Sequence, residues 1–390
     1  MNVTVAIDSF KGSLSTSQSG AAVADAIRAV YPDADVKVCP LADGGEGTVA
    51  AIVSALDGER CAVEVCGPLG ERVVAEYGVI PHEQLAVIEM SAAAGITLVP
   101  EEKRNPLDTT TYGVGQLIRH AIEEKHCRHF LIGIGGSATN DGGLGMLSAL
   151  GFRFLDRDGN PVSPCGRGLR DVASVCTEDC LPALRECRFE IACDVTNPLC
   201  GEVGCSRVYG PQKGATETII RDMDAWLAKY AAVTKTVFAH ADADYPGAGA
   251  AGGLGFAFLA YLGASLTSGI ELVIRVTELE KHIKDADVVV TGEGRLDAQS
   301  CMGKAPVGVA KVAKKYGKPV IAFSGAVTRD AGLCNQHGID AFFPIVRTPC
   351  SLKDAMDVGN AYENLKNTAE QAFRLIKTFS ECEIHIKEHT

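Results

Sequence analysis

The sequence predicts an α/β protein of two domains, one of them discontinuous in sequence with the other inserted in it. Three observations carry this. Short β-branched runs, Val3–Ile7 and Asp287–Thr291 among them, end in small polar loops rich in glycine, and segments of helical period follow. Glycine is abundant, 42 of 390 residues, and aromatics make up only 6%, which suits a fold with many tight βα loops. The strand–loop–helix rhythm breaks after Gly58 and returns near Asp287. Residues 1–58 and 273–390 are therefore expected to form a Rossmann-like domain with a mostly parallel sheet, and residues 59–272 an inserted α/β domain.

Each element follows from local pattern. Val3–Ile7 is a buried strand that ends in DSFKGSLS (Asp8–Ser15). Ser15 and Gln18 have capping-box spacing, and Val23, Ile27 and Val30 share a helical face until Pro32. Lys11 thus sits in a βα loop beside a helix start. Asp35–Cys39 is a second strand, ending in CPLADGGEGT, and Thr48–Leu56 is a helix closed by Asp57-Gly58. Ala62–Ile80 reads as two alternating strands around GPLG, a hairpin, with a third run at Leu85–Met90.

A helix carrying Val114, Leu117, Ile118, Ala121 and Ile122 leads into LIGIGGSATNDGGLG (Leu131–Gly145), read as strand, glycine loop and helix. Phe189–Cys193 is a strand ending in DVTNPLCG. Ile220, Met223, Leu227 and Tyr230 form a core stripe with Trp226 beside it, and GAGAAGGLG (Gly247–Gly255) precedes an apolar segment. Asp287–Thr291 runs into GEGRLDAQS. A helix through Val309, Val312, Ala313 and Tyr316 stops at Gly317, and PVIAF ends in Ser324-Gly325. Ala341–Val346 is a strand. The helix from about Ala361 to Phe379 packs Tyr362, Leu365, Ala369, Phe373 and Ile376, and the tail after Phe379 has no assigned role.

Composition excludes several classes. No apolar stretch of ~18 residues is present, so no membrane span is expected. The first residues lack the basic region and apolar core of a signal peptide. A net charge of −12 argues against a nucleic-acid surface, so anions must be held by local Lys, Arg, metal or backbone N–H groups. Fifteen cysteines occur without any CxxC, and no His lies at matching spacing near Cys176 and Cys180 or Cys200 and Cys205. That pattern argues against zinc and for reduced thiols in a cytoplasmic protein.

The strand ends carry the chemistry. Asp8, Asp43, Asp141, Asp194, Glu293 and Asp297 follow strands in glycine-bearing loops, and Lys11, Arg295 and Lys304 lie in loops of the same kind. Open α/β sheets bind ligands there. The glycines of Gly133–Gly143 let backbone N–H groups approach an anion, and a helix starting just after them aims its positive end at the same place. Acids beside such loops suggest Mg²⁺ and a general base, the requirements of phosphoryl transfer. A strand-end Asp also serves as a helix cap. The sequence has no GxxxxGK[ST] and no GxSxG; Gly247, Gly249 and Gly252 fit GxGxxG but follow DADYP rather than an apolar strand. The residues alone thus point to a Mg²⁺-dependent enzyme acting on a small anionic or phosphorylated ligand.

The motifs DSFKGSLS, PLADGGEGT, GIGGSATNDGG, DVTNPL, GAAGGLG and TGEGRLDAQS, in this order, resemble those of the type-1 glycerate kinase family, from near Met1 to about Phe379. The resemblance implies ATP-dependent phosphorylation of D-glycerate with Mg²⁺, in bacterial glycolate, glyoxylate or sugar-acid catabolism, with the 2-hydroxyl favoured over the 3-hydroxyl. It also implies two α/β domains with the active site in the cleft between them.

Chemistry then suggests roles. Lys11 and Arg295 are candidates to hold the glycerate carboxylate or the transferring phosphate. Asp297 is favoured over Asp194 as the base, because Arg295 lies two residues away. Glu293 and Asp43 are candidates for Mg²⁺, and Gly135, Gly136, Ser137, Thr139, Asn140, Gly252 and Gly253 for the phosphates of ATP. No nucleic-acid or membrane partner is expected, and a homo-oligomer is compatible with the sequence. The competing readings are an NAD(P)-dependent hydroxy-acid dehydrogenase, resting on the GxGxxG match, and a non-catalytic protein that senses small anions.

Overall fold

The structure is a computed structural model and describes residues 1–388. Its strands are β1 (Asn2–Ile7), β2 (Asp35–Val38), β3 (Glu59–Cys66), β4 (Arg72–Ile80), β5 (Leu85–Glu89), β6 (His129–Gly133), β7 (Arg153–Leu155), β8 (Ser174–Cys176), β9 (Arg188–Ala192), β10 (Ser265–Thr267), β11 (Val288–Leu296), β12 (Val320–Val327) and β13 (Ala341–Pro344). The chain divides into two compact units, Met1–Asp43 with Ile270–Thr390, and Gly44–Gly269. Among the described residues no helix is long and apolar enough to cross a membrane.

The first unit holds a five-stranded sheet in the order β13-β12-β11-β1-β2. All its pairings are parallel, with Val5 opposite Val290 and Ile7 opposite Gly292. A parallel strand covered on both faces reads as a continuous apolar run rather than an alternating one, which is why Val3–Ile7 stood out. Val3, Val5 and Ile7 pack with Val23, Ile27, Leu365 and Phe373 of the helices Thr16–Val30 and Val358–Glu388. Thr4 faces the other way, where its hydroxyl donates to the His282 carbonyl of the helix Leu279–Asp285 at 3.0 Å. Ser15 caps Thr16–Val30 as its spacing predicts: its Oγ accepts from the Gln18 N–H, and its own N–H donates to Gln18 Oε1 at 2.9 Å. The helix Val358–Glu388 continues through the tail that the sequence left without a role.

The second unit holds a six-stranded mixed sheet, β10-β9-β6-β5-β4-β3. β3 and β4 form the expected antiparallel hairpin, β4 pairs antiparallel with β5, and β5, β6, β9 and β10 run parallel. A small antiparallel pair, β7-β8, completes the strands. Ile220, Met223, Leu227 and Tyr230 are buried in this unit's core, with Trp226 packed at its edge.

The first unit's opening segment ends at Asp43, fifteen residues before the expected break after Gly58. The helix Thr48–Ala55 belongs with the inserted strands, because it packs on β4 and β5. Gly78 on β4 meets it so closely that a Cβ there would lie 2.4 Å from Val53. Glu89 at the end of β5 also accepts the Gly47 and Val49 N–H groups at 3.1 and 2.9 Å.

Candidate active site

The first unit's sheet, counted from its own first strand, has the order 2-1-3-4-5. The chain leaves β1 toward one edge and returns on β1's other side, so the crevice between the carboxyl ends of β1 and β11 is the topological switch point, where open α/β sheets bind ligands. A cavity of about 620 Å³ lies there. Asp8, Ser9, Lys11 and Ser13 line it from the loop after β1, Asp43 from the loop after β2, and Glu293, Arg295 and Asp297 from β11 and its continuation. Lys304 and the apolar wall of Ile345, Leu352 and Met356 complete it.

Its electrostatics are acidic below and basic at the rim. Asp8 is only 4% exposed. Burial and the neighbouring Asp43 push its carboxyl up to about 7, against the pull of the Ser9 N–H and Lys11. Burial also raises the Glu293 carboxyl, and Asp297 and Asp43 add to this. Ser300 Oγ donates to Glu293 in a short hydrogen bond and so offsets part of the cost. Lys11 Nζ lies 3.8 Å from Asp43 Oδ2, with its side chain more than half exposed. Arg295 Nε lies 3.2 Å from Asp297 Oδ2 and is likewise mostly exposed. Long cations with mobile heads can follow an anion into the cavity.

Asp297 is engaged locally. Its Oδ1 accepts the Gln299 and Ser300 N–H groups at 2.9 and 3.3 Å, and Ser300 Oγ accepts the Asp297 N–H, a reciprocal cap on the turn Ala298–Met302. The capping alternative weighed for strand-end acids therefore describes Asp297 well. Asp194 lies in the second unit, where its Oδ1 accepts the Gly269 N–H at 3.0 Å. Among the described residues no group of three or more His, Cys, Asp or Glu is placed to hold a metal ion alone.

In the second unit the glycine loop after β6 separates into surface and scaffold. Gly135 and Gly136 are exposed and Ser137 lies at the rim, 8% exposed. Thr139, Asn140 and Asp141 are buried. Asn140 Nδ2 donates to Ser206 Oγ at 2.8 Å. Asp141 accepts from the Thr111 N–H and hydroxyl, both at 2.8 Å, and from the Gly143 and Gly145 N–H groups. Gly252 and Gly253 adopt left-handed conformations, φ +68° and +90°, and lie against this loop. A Cβ on Gly252 would meet the Thr139 carbonyl oxygen at 2.2 Å, and one on Gly253 would meet Gly142 Cα at 2.8 Å. The GxGxxG match thus falls on a kinked segment that follows a turn, not a strand, and serves close backbone packing.

Asp8 is one of the strand-end acids of the sequence and stands there behind Asp297 and Asp194 as a base; its burial belongs to the tertiary structure, where its N–H donates to the Gly292 carbonyl of β11 at 2.9 Å. Lys213 was missed altogether. It is buried beneath the glycine loop, donates to Ser137 Oγ at 2.8 Å and the Thr139 carbonyl at 2.6 Å, and desolvation lowers its amine to about 8. The signal in the sequence was a lysine between glycines, GPQKG, which by itself reads as a surface turn.

The chain is similar to known proteins over nearly its whole length. Residues 3–377 match the sequence profile described as the Glycerate kinase family. The chain is 48% identical over 366 residues to the Glycerate 2-kinase of Escherichia coli K12, covering 94% of this chain and 95% of that one. It is 47% identical over 378 residues to the Glycerate kinase of Halalkalibacterium halodurans, covering 97% and 98%. The crystal structure of a protein assigned as glycerate kinase 2 from Salmonella typhimurium LT2 superposes with a TM-score of 0.90 at 46% identity, over 98% of this chain and 99% of that one. A kinase requires a phosphoryl donor, which for such enzymes is ATP. The chain belongs to the glycerate kinase family and is a kinase.

Proposed function

We propose that this enzyme transfers the γ-phosphoryl group of ATP to the 2-hydroxyl of D-glycerate in the first unit's pocket, as a cytoplasmic step of glycolate, glyoxylate or sugar-acid catabolism. The observation that carries the site is Asp8, a buried carboxyl at the switch point held near 7, close to the value a general base needs at neutral pH. The name of the Escherichia coli relative, a glycerate 2-kinase at 48% identity, supports the 2-position. Asp8 accepts the hydroxyl proton as the substrate oxygen attacks the γ-phosphorus. The new O–P bond forms while the bond to the ADP oxygen breaks and ADP keeps the electron pair. Lys11, Arg295 and Lys304 hold the glycerate carboxylate and the transferring group by charge.

Glu293 and Asp43 fit Mg²⁺, since both are pocket carboxylates whose repulsion a cation would relieve. Two carboxylates suffice, because Mg²⁺ commonly takes its remaining ligands from water and substrate phosphates. When bound, the ion neutralises charge on the phosphates. In the second unit the exposed backbone of Gly135 and Gly136 and the Ser137 hydroxyl suit the phosphates of ATP, while Thr139, Asn140, Gly252 and Gly253 hold that loop in shape. Incubation with ATP, Mg²⁺ and D-glycerate should release ADP, and ³¹P spectra should show 2-phosphoglycerate. No glycerate-dependent ADP would sink the reading, and 3-phosphoglycerate as the product would overturn the position.

A further inference from the structure

Two thiols face one another beside the pocket. Cys301 lies half-buried in the turn Ala298–Met302, and Cys334 is fully buried in the short helix Leu333–Gln336. Their sulfurs are 3.4 Å apart although the residues are 33 apart in sequence. Cys334 Sγ also lies 3.9 Å from the Asp297 carbonyl oxygen. The same turn begins at the Asp297 cap and carries Ser300, the donor to Glu293. Phosphoryl transfer uses neither thiol.

We infer that Cys301 and Cys334 are a reversible dithiol–disulfide pair, and that their oxidation by hydrogen peroxide shifts the turn carrying Asp297 and Ser300 and slows turnover. The effect on turnover rests on the proposed function; formation of the bond does not. The more accessible Cys301 attacks the peroxide as thiolate, the O–O bond breaks, and a sulfenic acid and one water result. The Cys334 sulfur then attacks the sulfenic sulfur, the S–O bond breaks and a second water leaves with the proton. Two thiols and one peroxide thus become one disulfide and two waters, and a dithiol reductant reverses the change by exchange. Burial and the hydrogen bond with Cys301 raise the Cys334 thiol, so the second step, which consumes no further peroxide, is the slower one.

Bond formation must bring the sulfurs from 3.4 Å to about 2.05 Å. Cys301 follows Ser300 directly, so the movement passes into the Ser300–Glu293 hydrogen bond and the Asp297 cap. Misplacement of a catalytic constellation by about 1 Å can cost up to roughly 10²-fold in rate.

The test treats the full chain with hydrogen peroxide, removes the excess with catalase, and follows both thiol state and glycerate-dependent ADP release. Mass spectrometry should find peptides containing residues 301 and 334 joined, kcat should fall about tenfold or more, and dithiothreitol should restore both. Cys334→Ser should keep the untreated kcat and lose both the link and the sensitivity; Cys334→Ala serves if the serine variant folds poorly. Absence of the joined peptide while other thiols are oxidised overturns the pair. The joined peptide with unchanged kcat overturns the coupling and leaves the pocket assignment standing. Inactivation that persists in Cys334→Ser places the sensitive thiol elsewhere and overturns the proposal. A lack of kinase activity before treatment would count against the functional reading, and the joined peptide would still decide the disulfide.

Discussion

At the scale of single residues, Asp8 joins the proposed role of base to a stability cost. Its carboxyl is held near 7 in the fold against 3.8 when unperturbed. The raised value means that the fold disfavours the ionised form. The associated stability is present below pH 3.8 and is lost as pH rises through 7. In EDTA, Asp8→Asn should therefore be more stable than the parent at pH 8 by roughly 1–3 kcal/mol, and the gap should narrow at pH 5; denaturant unfolding at both values checks this. The same variant should lose roughly 10²–10⁴ in kcat, and the parent's kcat/KM should fall below pH about 7. A variant with parental kcat removes Asp8 as the base. Asp297 and Asp194 behave differently on this view. Asn can still accept the backbone N–H groups that each now holds, so Asp297→Asn and Asp194→Asn should cost about 1 kcal/mol of stability with kcat little changed. A collapse of kcat by about 10²-fold in Asp297→Asn would return the role of base to that residue.

Among elements, the two glycine loops of the second unit show why a motif match is ambiguous. Gly247, Gly249 and Gly252 carry the spacing of a dinucleotide fingerprint, yet Gly252 and Gly253 let one backbone segment lie on another. Gly252→Ala would force a Cβ to 2.2 Å from the Thr139 carbonyl in a left-handed conformation. It should cost more than about 3 kcal/mol in stability by overpacking and strain together. The midpoint of urea unfolding reads this directly, and a change below about 1 kcal/mol would mean that the loops can separate without loss. Ser15 is the opposite case. Its cap was legible because a capping box needs only residues within one helical turn of each other.

For the whole molecule, metal dependence is the measurable property. EDTA should abolish activity and Mg²⁺ restore it. Asp43→Asn and Glu293→Gln should each raise the Mg²⁺ needed for half activity at least several-fold, since each removes one of two proposed carboxylate ligands. An unchanged Mg²⁺ titration in both would take the ion away from these residues.

Sequence alone determined what depends on neighbours along the chain: the parallel strands as apolar runs, the Ser15 cap, the β3–β4 hairpin, and the ordered motifs that resembled a glycerate kinase. Tertiary structure decided what depends on distant partners. The helix Thr48–Ala55 joined the second unit because Gly78 and Glu89, far along the chain, complete its packing and N-terminus. Asp8 became the buried acid because β1 and β11, nearly three hundred residues apart, pair in parallel beside it. Asp297 and Asp8 look alike as letters after a strand. One binds backbone N–H groups in its own turn and the other is desolvated beside Asp43, a difference in burial and charge that local pattern does not carry.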